Sequence, residues 1–192
     1  FVEGASAQDS KITAGNITVN QKSGNGKKKK NVKEITTGNI KAGKTGVYQE
    51  SSSTTAGKLS AGSISLIGNE DSMIGVYTNG SSAAVDTEIA GLDMQNAKND
   101  STGIYIGSGS FKNTGSINIK ALDSSFGIYI KGVTGHNTVD FGTGTRTVNL
   151  GNDSIGLYLK NAQVSNMITD ITIGDTTGAP GTQAGVGMFL ED

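Results

Sequence analysis

The chain has 192 residues and a formal net charge of −1, room for one domain or one stretch of a longer repeat array. Gly, Thr, Ser and Asn number 29, 21, 20 and 16, poor helix formers and good turn formers that argue against a helical bundle or an ordinary α/β enzyme. No run of about 18 apolar residues is present to span a membrane. The pI near 5.9 gives no pull toward nucleic acid, and no cysteine and a single histidine leave no disulfide framework and too few ligands for zinc.

Taken in chain order, the start FVEGASAQDS has neither a basic opening nor an apolar core, so no signal peptide is read there. Phe1-Val2 reads as the tail of a Gly-x-Phe unit. Gly15-Asn16-Ile17-Thr18-Val19 is the first copy of a strand motif, Gly-(Asn/Ser)-Ile-x-aliphatic. It recurs at Gly38-Asn39-Ile40-Lys41-Ala42, Gly62-Ser63-Ile64-Ser65-Leu66 and Gly115-Ser116-Ile117-Asn118-Ile119. Weaker copies are Thr147-Val148-Asn149-Leu150 and Asp170-Ile171-Thr172-Ile173, and the poorest lies around Ile89. A second motif alternates with it and holds every tyrosine of the chain. Its copies are Gly46-Val47-Tyr48, Gly75-Val76-Tyr77, Gly103-Ile104-Tyr105, Gly127-Ile128-Tyr129 and Gly156-Leu157-Tyr158, followed by Gly187-Met188-Phe189. Their glycines are spaced 29, 28, 24, 29 and 31 residues apart, a repeat length typical of solenoids.

Both motifs alternate with period two, so each predicts a short half-buried strand. Ile104 and Ile106 should face the interior and Tyr105 the outside, with Ile128, Ile130 and Tyr129, and Leu157, Leu159 and Tyr158, arranged alike. A third short strand is expected before the Gly-Ser-Ile strand, as in Phe111-Lys112-Asn113 or Gln163-Val164-Ser165. Identical strands at a fixed period stack in register on their counterparts. The predicted fold is therefore all-β, a right-handed parallel β-helix of about seven coils with short strands and variable loops, forming one domain over residues 1–192. Expected loops are Ser23 to Glu34, with the basic run Lys27, Lys28, Lys29, Lys30 and Lys33, the polar stretch Gln49 to Gly57, and Gly174 to Gly185 around Pro180.

Tandem G-I-Y-I and F-x-N-x-G-x-I units in a cysteine-free chain resemble the passenger of a type V autotransporter adhesin, in a dialect most similar to the very large fusobacterial outer-membrane adhesins. Asp153-Ser154-Ile155-Gly156-Leu157-Tyr158-Leu159-Lys160-Asn161 carries the best local match. The resemblance implies a right-handed β-helix outside the cell that binds host cells or other bacteria through a surface protein or glycan. The residues themselves give no sign of a nucleic-acid partner, a cofactor or a catalytic constellation, so none is expected. Membrane attachment would run through a C-terminal translocator that this sequence does not contain. With no obvious polar cap at either end, the chain reads as a segment of a longer passenger.

Several residues invite chemistry. Tyr48, Tyr77, Tyr105, Tyr129, Tyr158 and Phe189 should line one face, either to stabilise the sheet or to bind sugars or proteins. Lys27 to Lys30 could hold anionic glycans, lipid head groups or phosphates, or be a solvated loop. Asp71-Ser72, Asp100-Ser101, Asp123-Ser124 and Asp153-Ser154 could stack carboxylates for calcium, but better fit Asx-type turns. Asn152 stands where a G-x-S-x-G motif around Ser154 needs its first glycine. His136 lies near Asp140 and Arg146 in sequence, a weak triad-like group. The alternatives to an adhesin are a pure spacer and a carbohydrate-cleaving β-helix. The latter would need carboxylates on a sheet face, whereas Asp and Glu read here mainly as turn residues.

Overall fold

A computed structural model describes residues 2–3, 11–15, 17–18, 25–30, 34–51, 55–174 and 185–192. The described residues form twenty strands and no helix, and every strand pair is parallel and in register. Eight strands make the tyrosine sheet: Val2–Glu3, Asn25–Lys30, Thr45–Ser51, Ile74–Gly80, Thr102–Ile106, Phe126–Lys131, Ser154–Lys160 and Gly185–Glu191, stacked in chain order. The other twelve cover two more faces. One face stacks Lys11–Ala14, Glu34–Thr37, the first half of Gly57–Leu66, the first half of Val85–Met94, Phe111–Asn113, Thr138–Asp140 and Gln163–Ser165. The next stacks Ile17–Thr18, Ile40–Ala42, the two second halves, Ile117–Lys120, Arg146–Leu150 and Asp170–Ile173. The long strands Gly57–Leu66 and Val85–Met94 run through the corner unbroken and join the two faces into one sheet.

The chain is thus a parallel β-solenoid with a three-sided coil. About five turns, from Glu34 to Lys160, are described almost throughout, against the seven expected. At each end the strands of a further turn are described and some residues between them are not. Both expected third strands are present, at Phe111–Asn113 and Gln163–Ser165.

Alternation places one aliphatic column per strand position inside. Val47, Val76, Ile104, Ile128 and Leu157 sit one above another and are fully buried, as do Ile40, Ile64, Leu92 and Ile117 on another face. Burying such side chains stabilises the fold by about 1.5–3 kcal/mol each. The interior turns polar toward the N-terminal coils. Thr78 occupies the place of Ile106 and its hydroxyl lies 2.9 Å from that of buried Thr87.

Two motif copies are shifted from their sequence alignment. Ile89 pairs with Ala61 and Asn113 on the first face, and Leu92 takes the place of Ile64 and Ile117. Val148 pairs with Ile119, so Arg146, and not Val148, occupies the place of Ile117. The Val148 shift is two residues and keeps every side chain on its own face, so alternation alone could not detect it. Leu92 lies three residues beyond Ile89, across the corner at Ala90-Gly91 where the alternation is interrupted.

Why glycine precedes the aliphatic-Tyr pair follows from the stacking. A Cβ on Gly103 would lie 2.5 Å from the Gly127 carbonyl oxygen and 2.4 Å from Cδ1 of Ile119. Gly46, Gly75, Gly127 and Gly156 meet the next coil's glycine carbonyl and an interior side chain in the same way. The strand enters the sheet so close to its neighbour and to the core that only a hydrogen fits.

A second ladder occupies the corner before the tyrosine strand. Ser101, Ser125 and Ser154 are fully buried. Their hydroxyls accept hydrogen bonds from the backbone N–H of Met73, Ser101 and Ser125, at 3.1, 3.1 and 3.0 Å. Each hydroxyl also donates to a carbonyl two residues upstream, of Asn99, Asp123 and Asn152. The corner breaks sheet hydrogen bonding, and the serines satisfy the amides it frees.

Two stability tests follow. Gly103→Ala is expected to destabilise by about 1–3 kcal/mol in urea unfolding, because the new methyl meets backbone as well as a side chain. Gly187→Ala, with no atom within 4 Å of the new carbon, should change stability by less than about 0.5 kcal/mol. Ser125→Ala should cost about 1–3 kcal/mol by orphaning the Ser101 amide. Hydrogen exchange at Ser101 should accelerate more than at neighbouring amides.

Candidate functional site

The tyrosine strands place Tyr48, Tyr77, Tyr105, Tyr129, Tyr158 and Phe189 in one outward column, in direct register. Their rings stack face to face, with centroids 4.4, 4.8, 4.7, 4.7 and 5.3 Å apart and planes within 3–8° of parallel. Each pair adds about 0.5–1.5 kcal/mol beyond its buried area. The stack also removes the ring faces from use. Tyr77, Tyr105, Tyr129 and Tyr158 each have a ring on both sides, so only their edges and hydroxyls meet solvent. A sugar could not lie flat on any of these four rings.

The hydroxyls have particular partners. Tyr48 donates to Glu50 Oε1 at 2.6 Å. Tyr158 donates to Glu191, whose other oxygen accepts from Lys160. Burial, the hydrogen bond to Glu50 and its charge push the Tyr48 phenol well above its ordinary value. Tyr158 is pushed up to about 12, chiefly by its hydrogen bond to Glu191. Burial raises Tyr77 and Tyr105. The bonds from Lys160 and Tyr158 hold Glu191 below the usual carboxylate range.

The lysine run is not a loop. Lys27 to Lys30 lie in strand Asn25–Lys30, in register with Val47, Tyr48, Gln49 and Glu50. Lys28 therefore holds the tyrosine position of its coil. Parallel pairing uses backbone groups alone, so a strand forms without the aliphatic-Tyr pair that marks the later copies. Likewise Gln49 to Ser51 continue a strand and do not begin a loop. Residues 52–54, Phe1, Lys33 and 175–184, with Pro180, lie outside the described residues.

The Asp-Ser pairs do not stack as pairs. Ser72, Asp100, Ser124 and Asp153 share the left-handed corner position, with φ of 57, 56, 56 and 55°. The carboxylates are consequently staggered by one residue from coil to coil. Asp71 and Asp123 each accept a backbone N–H of the following coil, from Asn99 at 3.1 Å and Asn152 at 2.7 Å. They cap turns, as the turn reading expects, but across coils and not within their own. No group of three His, Cys, Asp or Glu side chains that could hold a metal ion occurs among the described residues.

A different feature emerges on the first face. A groove of about 620 Å³ there is lined by Lys58, Asp86, Glu88, Lys112, His136 and Asp140, among others. Asp86 and Glu88 lie on strand Val85–Met94 and Asp140 on Thr138–Asp140, so these carboxylates occupy a sheet face and not turns. Lys112 pairs with Glu88 at 3.1 Å and Lys58 approaches it at 3.9 Å. Register brings Glu88, Lys112 and Asp140 into one column and Lys58 and Asp86 into another.

His136 reaches this groove from a tight turn in which Val133 and His136 exchange backbone hydrogen bonds of 3.1 and 2.8 Å. Its Nδ1 lies 2.8 Å from Asp86 Oδ2, and Asp86 Oδ1 accepts from the Ser110 amide at 2.9 Å. Asp140 accepts from Asn166 and from the Gly142 amide, both at 2.8 Å, and these bonds hold it below the usual range. The expected His136–Asp140–Arg146 group is therefore not formed as such. His136 pairs with Asp86, fifty residues away, and the Arg146 guanidinium donates to the Gly142 carbonyl. The charges recur at the repeat spacing, 24 residues from Glu88 to Lys112 and 28 from Lys112 to Asp140. That spacing was the available signal.

Compared with family models, with characterised proteins and with solved structures, the chain matches none of them.

The phenol shifts yield a pH test. Folding holds these protons more tightly than the unfolded chain, whose tyrosines release them near pH 10. The folded chain thus binds more protons between about pH 10 and 12. Stability is unaffected by these groups below that window and falls as pH rises through it. Phenolate absorbance at 295 nm should appear later than in free tyrosine and together with loss of the β-sheet circular dichroism signal.

Proposed function

We propose that the chain is a segment of a cell-surface adhesin passenger, a stiff β-solenoid stalk that presents side-chain surfaces and loops for attachment to host cells or other bacteria. The single observation that carries this reading is the unbroken register of the tyrosine sheet, from Val2–Glu3 to Gly185–Glu191. One coil repeats the last, so the shaft gains length without closing on itself, and each coil adds stacked contacts that resist bending. The resemblance of the repeat units to autotransporter passengers supports the same reading. On this reading the parent protein lies at the bacterial surface, anchored through the outer membrane by a translocator elsewhere in that protein. Its partner would be a surface protein or glycan, and affinity would come from many weak contacts along a long passenger.

A second reading has its own observation. Asp86, Glu88 and Asp140 share one groove on a sheet face, the arrangement a carbohydrate-cleaving solenoid needs. Both readings are tested with the 192-residue chain. Beads coated with it should retain host epithelial or partner bacterial cells above a level set by an unrelated β-solenoid. Equal retention by the two would overturn the adhesin reading. New reducing ends released from polysaccharide, lost in Glu88→Gln and Asp140→Asn, would establish the enzyme instead.

A further inference from the structure

We infer that the groove on the first face is a binding site for a neutral, hydroxyl-rich oligosaccharide lying along the solenoid axis. The inference names a ligand class and a site for the attachment proposed above and rests on that reading. The argument starts from where the charge falls. On the neighbouring face the stacked outward positions read Lys41, Ser65, Asp93, Asn118 and Thr147, where each charge stacks only on neutral residues. On the groove face Lys58, Asp86, Glu88, Lys112 and Asp140 interrupt that pattern over four consecutive coils. Nothing in the stacking requires them there, because outward side chains do not touch the core.

The groove is also walled. The Val133–His136 turn stands at its side, and the His136–Asp86 contact ties that turn to a coil two turns earlier. Its carboxylates are held in place before any ligand arrives. Asp86 is fixed by the Ser110 amide and His136, and Asp140 by Asn166 and the Gly142 amide. Such preorganisation lowers the ordering cost of binding. Each carboxylate still has acceptor capacity left. The side chains of Lys58 and Lys112 remain more than half exposed, and their ammonium groups have donors beyond those directed at Glu88.

Chemistry narrows the ligand. An anion would face three carboxylates, and a cation would face two lysines and His136. An apolar molecule would strip water from all of them without replacing their hydrogen bonds. A peptide that binds by strand addition needs an open strand edge, whereas this floor is the side-chain surface of fully paired strands. A sugar hydroxyl donates and accepts at once, so a chain of hydroxyls fits interleaved donors and acceptors in any order. The volume lies in the range of small-molecule sites, and the open top suits a chain that continues past both ends.

The test uses the 192-residue chain on an array of neutral, anionic and cationic oligosaccharides, then calorimetric titration with the neutral oligosaccharide retained best. Lys112→Ala and Asp86→Asn are each expected to weaken binding about tenfold or more. Lys41→Ala, on the neighbouring face, should leave it unchanged and shows that a lost lysine alone is not the cause. Circular dichroism of each variant confirms folding. The proposal is overturned if only charged glycans or none are retained, or if Lys112→Ala and Lys41→Ala bind alike. Oligosaccharide binding by a chain that retains no cells would leave the groove assigned and sink the adhesin reading. Cell retention undiminished by Lys112→Ala, with no oligosaccharide bound, would do the reverse.

Discussion

Everything in this molecule depends on one constraint: each coil must lie directly on its counterpart at the spacing of a parallel sheet, about 4.8 Å. At that spacing every residue touches its own equivalent above and below. The glycine column is where the constraint is tightest. Its chain passes so near the next coil's carbonyl and the core aliphatics that a single carbon does not fit. The buried serines solve the complementary problem at the adjacent corner, where backbone amides leave the sheet and need an acceptor. Glycine gives the close approach, serine gives the hydrogen bonds, and the aliphatics between them supply the apolar burial.

The same constraint divides the surface into two kinds of position. Where outward residues are alike, they stack, and the tyrosines become a column of rings whose faces cover one another. That column strengthens the shaft but keeps little face for a ligand. Where outward residues differ from coil to coil, the stack brings unlike groups together. Lys112 between Glu88 and Asp140 is such a case, and it yields a groove with donors and acceptors a few ångströms apart. The regular positions thus supply stability, and the irregular ones are where the surface acquires its chemical variety.

How much could be read beforehand varied with the residue. The tyrosine column was legible because one residue type recurred in one short motif, and the third strands at Phe111–Asn113 and Gln163–Ser165 were legible from their alternation. Lys27 to Lys30 were misread as a loop because strand-forming side chains were sought, whereas the pairing there follows from the backbone register. The place of Val148 is not legible because residues two apart share a face and the repeat tolerates either register until the neighbours are known. That of Leu92 is not because the chain turns a corner between it and Ile89. The serine ladder is not legible in sequence, where Ser101, Ser125 and Ser154 look like ordinary turn residues and Ser101 and Ser154 read as members of Asp-Ser turns.

The amino-acid sequence by itself determined the fold class. A period near 27 residues, alternation within each motif, and glycine at a fixed offset leave few folds other than a stacked parallel solenoid. It also determined which side chains face inward within each flat stretch of strand, since there that depends on parity alone, though not across the corner between Ile89 and Leu92. The tertiary structure alone decided which outward residues meet. Asp86 and His136 are fifty residues apart, and their contact needs both the register of the coils and the backward reach of the Val133–His136 turn. Loop lengths vary from coil to coil, so sequence distance does not map onto height along the axis. Only the hydrogen-bonded register, set jointly by every coil, converts one into the other.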